Sequence, residues 1–388
     1  MPRSWRTKLI HSDVEIPEGY RSLVTPVFRG STTVFPSAGK LRDDWRQYEV
    51  GWVYGLYGTP TALELAGRIA ELEGGFRTFL VPGGQSALAV INLALLRAGD
   101  HVLIPDSVYS PHRQLAEDLL RRFGVSCDFY PPTIGAGIEA FIEERTRLVW
   151  CESPGSITME VQDVPAIAEV AHRHGAKVAM DNTYSAGVYF DAFAHGVDVA
   201  TQALTKYIGG HSDLLLGSVT VRDETDYERI GSAMQTLGMA VSPDDCSLAL
   251  RGMQTLGVRL AALERSALEV ARWLAGREEI AEVLHPALAS CPGHELWRRD
   301  FTGSTSVFSV EFRPDVRRSR VRAFVDALEL FEIGWSWGGV TSLAVPVNPP
   351  RTVTEGRRAG PLVRFNVGLE DSADLIADLE GGLRALVE

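Results

Sequence analysis

LVWCESPGSITMEVQDVPAIAEVAHRHGAKVAMDN, residues 148–182, holds two short apolar runs with a helical pattern between them. LVWCE (148–152) and KVAMDN (177–182) are continuous rather than alternating in hydrophobicity, so each reads as a strand buried on both faces. DVPAIAEVAHRHG (163–175) reads as the helix that joins them. The same alternation extends outward, to HVLIP (101–105) on one side and to DVATQAL (198–204) and DLLLGSVTV (213–221) on the other. Continuous apolar strands separated by helices predict a mostly parallel sheet covered on both faces, an α/β domain. Upstream, TALELAGRIAELEGG (61–75) places Leu65, Ile69 and Leu72 on one helical face, with a Thr61–Glu64 capping box expected at its start and Gly74–Gly75 as its stop.

At 388 residues the chain is too long for one ordinary core. Residues 1–55 carry scattered Pro, Gly and Ser without a sustained period and read as an extended arm that packs on a neighbouring subunit. Residues 56–243 form the α/β domain. From 244 the character changes: CSLALRGMQTLGVRLAALERSALEVARWLAG (246–276) is one long helical pattern, and TSVFSVEF (305–312) alternates as a half-buried strand does. A smaller α+β domain is therefore expected over 244–388.

With 38 basic against 50 acidic side chains the net charge is -12, which repels phosphate backbones and anionic lipid surfaces. Neither nucleic acid nor membrane is expected as a partner. Cys127, Cys151, Cys246 and Cys291 form no CxxC pair and no disulfide ladder, so no metal site is expected and a reducing compartment fits. The N-terminus lacks the apolar core of a secretory signal, and a cytoplasmic location is expected.

In open α/β sheets ligands sit beyond the carboxyl ends of the strands. GGQSALAV (83–90) follows the run FLV and opens a helix, which aims the backbone N–H groups of Gly84, Gln85 and Ser86 at one spot. A plain strand-to-helix turn has the same pattern; an anion cradle is the functional reading. KVAMDN ends in Asp181, and TQALTKYIGGHSD (201–213) brings Lys206 to the same rim. Alone, Asp181 reads as a turn residue and Lys206 as a lysine with its stem on apolar surface. Together with the cradle they match the needs of pyridoxal phosphate: an amine for the Schiff base, an acid opposite the pyridine nitrogen, and amides for the phosphate. Tyr109 in PDSVYSP offers a flat ring to stack. GAG (135–137) lacks the strand–GxGxxG–helix context and reads as a loop, His172 and His174 read as helix C-terminal caps, and Ser212 lacks a nucleophile elbow.

Seven motifs in order resemble a known family: YGLYGTPTALELAGRIAELEGG (54–75), CESPGSITMEVQDVPAIAEVA (151–171), MDNTYSAGVYF (180–190), TKYIGGHSD (205–213), LRGMQTLGVRL (250–260), SWGGVTSL (336–343) and VRFNVGLED (363–371). They resemble the Cys/Met metabolism pyridoxal-phosphate enzymes of fold type I, and SPGSITMEV with SWGG looks most like the bacterial cystathionine β-lyase branch. The resemblance implies Lys206 as the Schiff-base lysine, Asp181 as the pyridinium partner and Tyr109 as the stacking ring. Gly84, Gln85 and Thr205 are implied as phosphate contacts. Tyr54 is implied to reach into the neighbouring subunit's site, hence a dimer, usually within a homotetramer. Arg364 is implied to grip the substrate α-carboxylate, with Ser336 and Trp337 lining the pocket. The implied reaction is β-elimination of L-cystathionine, and the alternative is elimination or replacement on another β- or γ-substituted amino acid. Four positions depart from the common pattern. Leu56 stands where an arginine is usual, Ala203 where many members have serine, Thr341 at a position that is often glutamate, and Pro111 near the cysteine characteristic of methionine γ-lyases.

Overall fold

A computed structural model describes residues 4–11, 23–353 and 358–386. Seven strands make the larger sheet: β1 (Arg77–Val81), β2 (His101–Pro105), β3 (Ser126–Tyr130), β4 (Thr146–Glu152), β5 (Lys177–Asp181), β6 (Val199–Gln202) and β7 (Gly217–Val221). Their order is β1-β7-β6-β5-β4-β2-β3. β7 alone runs against its neighbours. Its reversal follows from its connection, since the segment after β6 holds no crossover helix and returns the chain directly alongside. β2, β4, β5 and β6 are almost wholly buried, as their unbroken apolar runs require. Two clusters of buried side chains cover the two faces of the sheet, one gathered on the helix Val164–Arg173 and one on Gly84–Leu95 and Glu224–Leu237.

The second sheet is antiparallel, in the order β10 (Leu343–Val347), β11 (Leu362–Asn366), β9 (Val307–Phe312), β8 (Ile280–Leu284). The helix Pro243–Ala275, 33 residues and about 50 Å long, belongs to both halves. Cys246 through Leu263 pack on the larger half, and Ala267 through Leu274 pack on the four-stranded sheet. Position 244 lies in its first turn.

Three local expectations are corrected. The capping box does not form: Pro60 begins the helix, Thr59 is its N-cap, and the Thr61 hydroxyl instead accepts from Phe28 N–H and donates to Pro26 O. GAG is not a loop but opens the 3₁₀ turns Gly135–Phe141, which bury Ile138 in the core. The arm is not uniformly extended, because Ser4 caps a helix Trp5–Ile10 whose Leu9 joins this chain's own core. Residues 1–3 and 12–22 of that arm lie outside the described residues. Among the described residues no helix is long and apolar enough to cross a membrane.

Candidate active site

A cavity of about 270 Å³ opens at the carboxyl ends of the parallel strands, bordered by residues at or shortly after the ends of β1, β2, β4, β5 and β6. Gly83, Gly84 and Gln85 form one wall, Tyr109 another, and Asp181, Ala203, Thr205, Lys206 and Trp337 the rest. Gly83 caps the helix Gly84–Leu95 without a side chain, so the first-turn N–H groups keep no side-chain partner. Gly84 is required by close approach: a Cβ there would sit 2.8 Å from Cβ of Ala203. The Gln85 side chain donates to Pro111 O at 2.9 Å, which leaves its backbone N–H as what it offers an anion. The Thr205 hydroxyl is engaged by Leu216, accepting from its N–H at 3.0 Å and donating to its carbonyl at 3.1 Å.

Asp181 is half-buried in the cavity wall and anchored by Thr183, whose N–H (3.0 Å) and hydroxyl (2.5 Å) both donate to Oδ1. Burial raises its pKa, opposed by those two donors and by Lys206. Lys206 Nζ donates to Ser336 Oγ at 2.6 Å and lies 5.4 Å from the centre of the Trp337 ring. Burial, then the Arg364 guanidinium, pull the Lys206 pKa down to about 8, with Asp181 pulling the other way. An amine in that range is partly neutral near physiological pH and therefore nucleophilic. Arg364, on β11, is buried and donates from Nη2 to the Ser336 carbonyl at 3.1 Å. Ser336 thus meets the amine with its hydroxyl and the guanidinium with its backbone, at φ +83. Holding a serine there costs on the order of 1–3 kcal/mol, and the two hydrogen bonds help to keep it.

The loop behind Lys206 is built on close contacts. Gly210 has φ +73, and a Cβ on it would lie 2.1 Å from Nη1 of Arg259. Arg259 is buried, donating from Nη1 to Tyr207 O and from Nη2 to Gly252 O, each at 2.7 Å. Asn366 holds the SWGG loop by accepting from Gly338 N–H at 2.8 Å and donating to Thr341 O at 3.0 Å. Arg259, Thr183, Asn366 and the buried Glu152 were not singled out as site residues from the sequence, although the resembling motifs contain them all. Arg259, Asn366 and Glu152 act through contacts to distant chain segments, which leave no local pattern, whereas Thr183 acts on Asp181 two residues away.

One expected residue stands apart. Tyr54 is 45% exposed and lies outside this cavity, in a separate open hollow shared with Arg42, Asp43, Leu56 and Tyr57. Elsewhere, His172 and His174 stand at the end of their helix and face Asp198 and Glu139. His101, Asp128 and Glu143 bring ligand atoms within 4.8 Å of one another at the sheet's edge, but Glu143 already holds Arg145 at 2.8 Å.

The uncapped helix terminus, the amine, the carboxylate and the flat ring together fit pyridoxal phosphate: the cradle would hold its phosphate, Asp181 would pair with its pyridine nitrogen, and Lys206 would meet its aldehyde. Comparison with known proteins agrees. A family model for Cys/Met metabolism PLP-dependent enzymes matches residues 6–384. The cystathionine β-lyase of Bordetella avium is 40% identical over 364 residues, 92% of this chain and 91% of that one. The L-alanine/L-glutamate racemase of Wolbachia pipientis is 35% identical over 378 residues, 94% and 93% of the two chains. The crystal structure of metB from Corynebacterium glutamicum superposes with a TM-score of 0.90 at 29% identity, covering 99% of this chain and 98% of that one. Matched by the family model and by these relatives over nearly its whole length, the chain belongs to the Cys/Met metabolism family of pyridoxal-phosphate-dependent enzymes.

Proposed function

We propose that the protein is a carbon–sulfur lyase that cleaves L-cystathionine and water to homocysteine, pyruvate and ammonia. The observation that carries this reading is Ser336, bonded at once to the Lys206 amine and beside the Arg364 guanidinium. An α-amino acid whose carboxylate takes both arms of Arg364 brings its Cα toward Lys206. The names of relatives such as the Bordetella avium enzyme support a thioether substrate.

When bound, pyridoxal phosphate supplies the electron sink for the pair left at Cα. Arg364 orients the substrate, and Ser336 and Trp337 close the pocket around it. Lys206, neutral in part because of its burial, takes the Cα proton and delivers one to the departing sulfur, with Tyr109 or a neighbour's Tyr54 as the other donor. Asp181 holds the positive charge on the pyridine nitrogen. The first-turn N–H groups of Gly84 and Gln85 take the phosphate, and Thr205, whose hydroxyl and N–H are both bonded to Leu216, lines the same cavity without a free donor. Tyr54, exposed and outside its own cavity, supports a dimer with shared sites, within a homotetramer.

Leu56 and Thr341 keep open a second reading, elimination or replacement at Cγ or on another substituted amino acid, although Thr341 and Pro111 both weaken a γ-lyase. Product analysis decides between them. Purified enzyme with L-cystathionine is expected to release pyruvate and homocysteine in equal amounts. Cysteine with 2-oxobutanoate would move the reaction to Cγ, and formation of D-alanine from L-alanine, with cystathionine untouched, would move it to racemisation.

A further inference from the structure

Glu152 has no part in the mechanism above, yet it ends β4 inside the cavity and is only 8% exposed. Its Oε2 accepts the backbone N–H of Tyr109 at 2.8 Å, across 43 residues of chain. Its own backbone N–H is held by Gln162 Oε1 at 2.7 Å, so the strand end that carries it is fixed. Tyr109 needs such an anchor. Its carbonyl is bonded by His112 and Arg113, but its ring is 42% exposed and its hydroxyl makes no hydrogen bond among the described residues. With no hydroxyl bond to fix it, the ring depends on where its backbone is held, and Glu152 holds the N-terminal side of that backbone.

Glu152 also stands beside Asp181, its register partner across β4 and β5, so two carboxyl groups occupy neighbouring positions in one pocket. Adjacent buried carboxylates share a proton rather than both ionising. Their surroundings divide them. Asp181 has two Thr183 donors and the Lys206 amine, all favouring its charged form, whereas Glu152 has the single Tyr109 amide. Burial, then the nearby Asp181, push the Glu152 pKa well above the carboxylate range.

We propose that Glu152 is a positioning residue, a neutral carboxylic acid whose carbonyl oxygen holds the Tyr109 ring over the cofactor. Its neutrality leaves Asp181 as the one negative charge facing the pyridine nitrogen. The proposal rests on the stacking role of Tyr109 but not on the identity of the substrate, so a different reaction product would leave it standing.

Two conservative variants separate reach from charge. Glu152→Gln keeps the reach and the acceptor oxygen without any charge, and Glu152→Asp keeps a carboxyl group but falls one methylene short of the Tyr109 amide. Cofactor affinity is read by titrating apoenzyme with pyridoxal phosphate, and ring geometry by visible circular dichroism of the bound cofactor. Glu152→Gln is expected to match the wild type in both. Glu152→Asp is expected to bind about three- to tenfold more weakly, the range spanned by one lost hydrogen bond, with altered dichroism. The reverse order, or no change in Glu152→Asp, would overturn the proposal. Tyr109→Leu separates it from the reading beneath it. Unchanged dichroism in that variant would remove the stacking role and this proposal together, whereas altered dichroism there beside an unaffected Glu152→Asp would remove only the role of Glu152.

Discussion

Arg364 shows how closely side-chain geometry bounds the chemistry. Its guanidinium is buried, reaches the Ser336 carbonyl at 3.1 Å, and helps to hold the Lys206 pKa down to about 8. A lysine at 364 would keep the charge but lose the planar fork that takes a carboxylate with two hydrogen bonds. Arg364→Lys is therefore expected to lower kcat/KM for the amino-acid substrate by about ten- to a hundredfold, mostly through KM, since a charged hydrogen bond contributes about 1.5–3 kcal/mol. Steady-state kinetics check this, and an unchanged KM would speak against carboxylate binding at Arg364. At this scale much was legible in the sequence. Asp181, Lys206, Tyr109 and the Gly84–Gln85 turn each follow an apolar run, and a strand's carboxyl end is where ligands sit. Glu152 also follows such a run, but its role depends on the amide of Tyr109, 43 residues away, and nothing around position 152 encodes that partner.

Elements were legible where periodicity decides and illegible where neighbours do. The buried strands and the long helical pattern after Pro243 emerge as expected, because continuous and 3.6-residue patterns reflect burial directly. The Thr61 capping box fails because a tertiary contact with the chain at Pro26 and Phe28 claims the hydroxyl first. The helix Pro243–Ala275 carries a feature that no period reveals. Gly252 lets its backbone lie against the loop that follows Lys206, where a Cβ would come within 2.2 Å of Ile208 O and 2.5 Å of Gly209 O. Both obstacles are backbone atoms, and neither can move without shifting the loop. Gly252→Ala is thus expected to destabilise the protein by about 1–3 kcal/mol in chemical denaturation, and to weaken cofactor binding as well, since Lys206 moves with the loop. A loss of stability without any effect on cofactor affinity would show that helix and loop are not coupled in this way.

Across the whole molecule the division of labour is spatial. The seven-stranded sheet supplies the cradle, Tyr109, Asp181 and Lys206, the smaller half brings Ser336, Trp337 and Arg364 against them, and the long helix is packed into both. Tyr54 lies apart from them, in an open hollow on the surface. The chain also has only four lysines: Lys8 and Lys40 lie in the first 55 residues, Lys177 is paired with Asp226 at 2.8 Å, and Lys206 alone borders the cavity. That scarcity makes the central assignment open to a single measurement. Reduction of the purified holoenzyme with borohydride, followed by proteolysis and mass spectrometry, is predicted to find the cofactor fixed covalently to the peptide that contains Lys206 and to no other; a label on Lys8, Lys40 or Lys177, or no label at all, would contradict it.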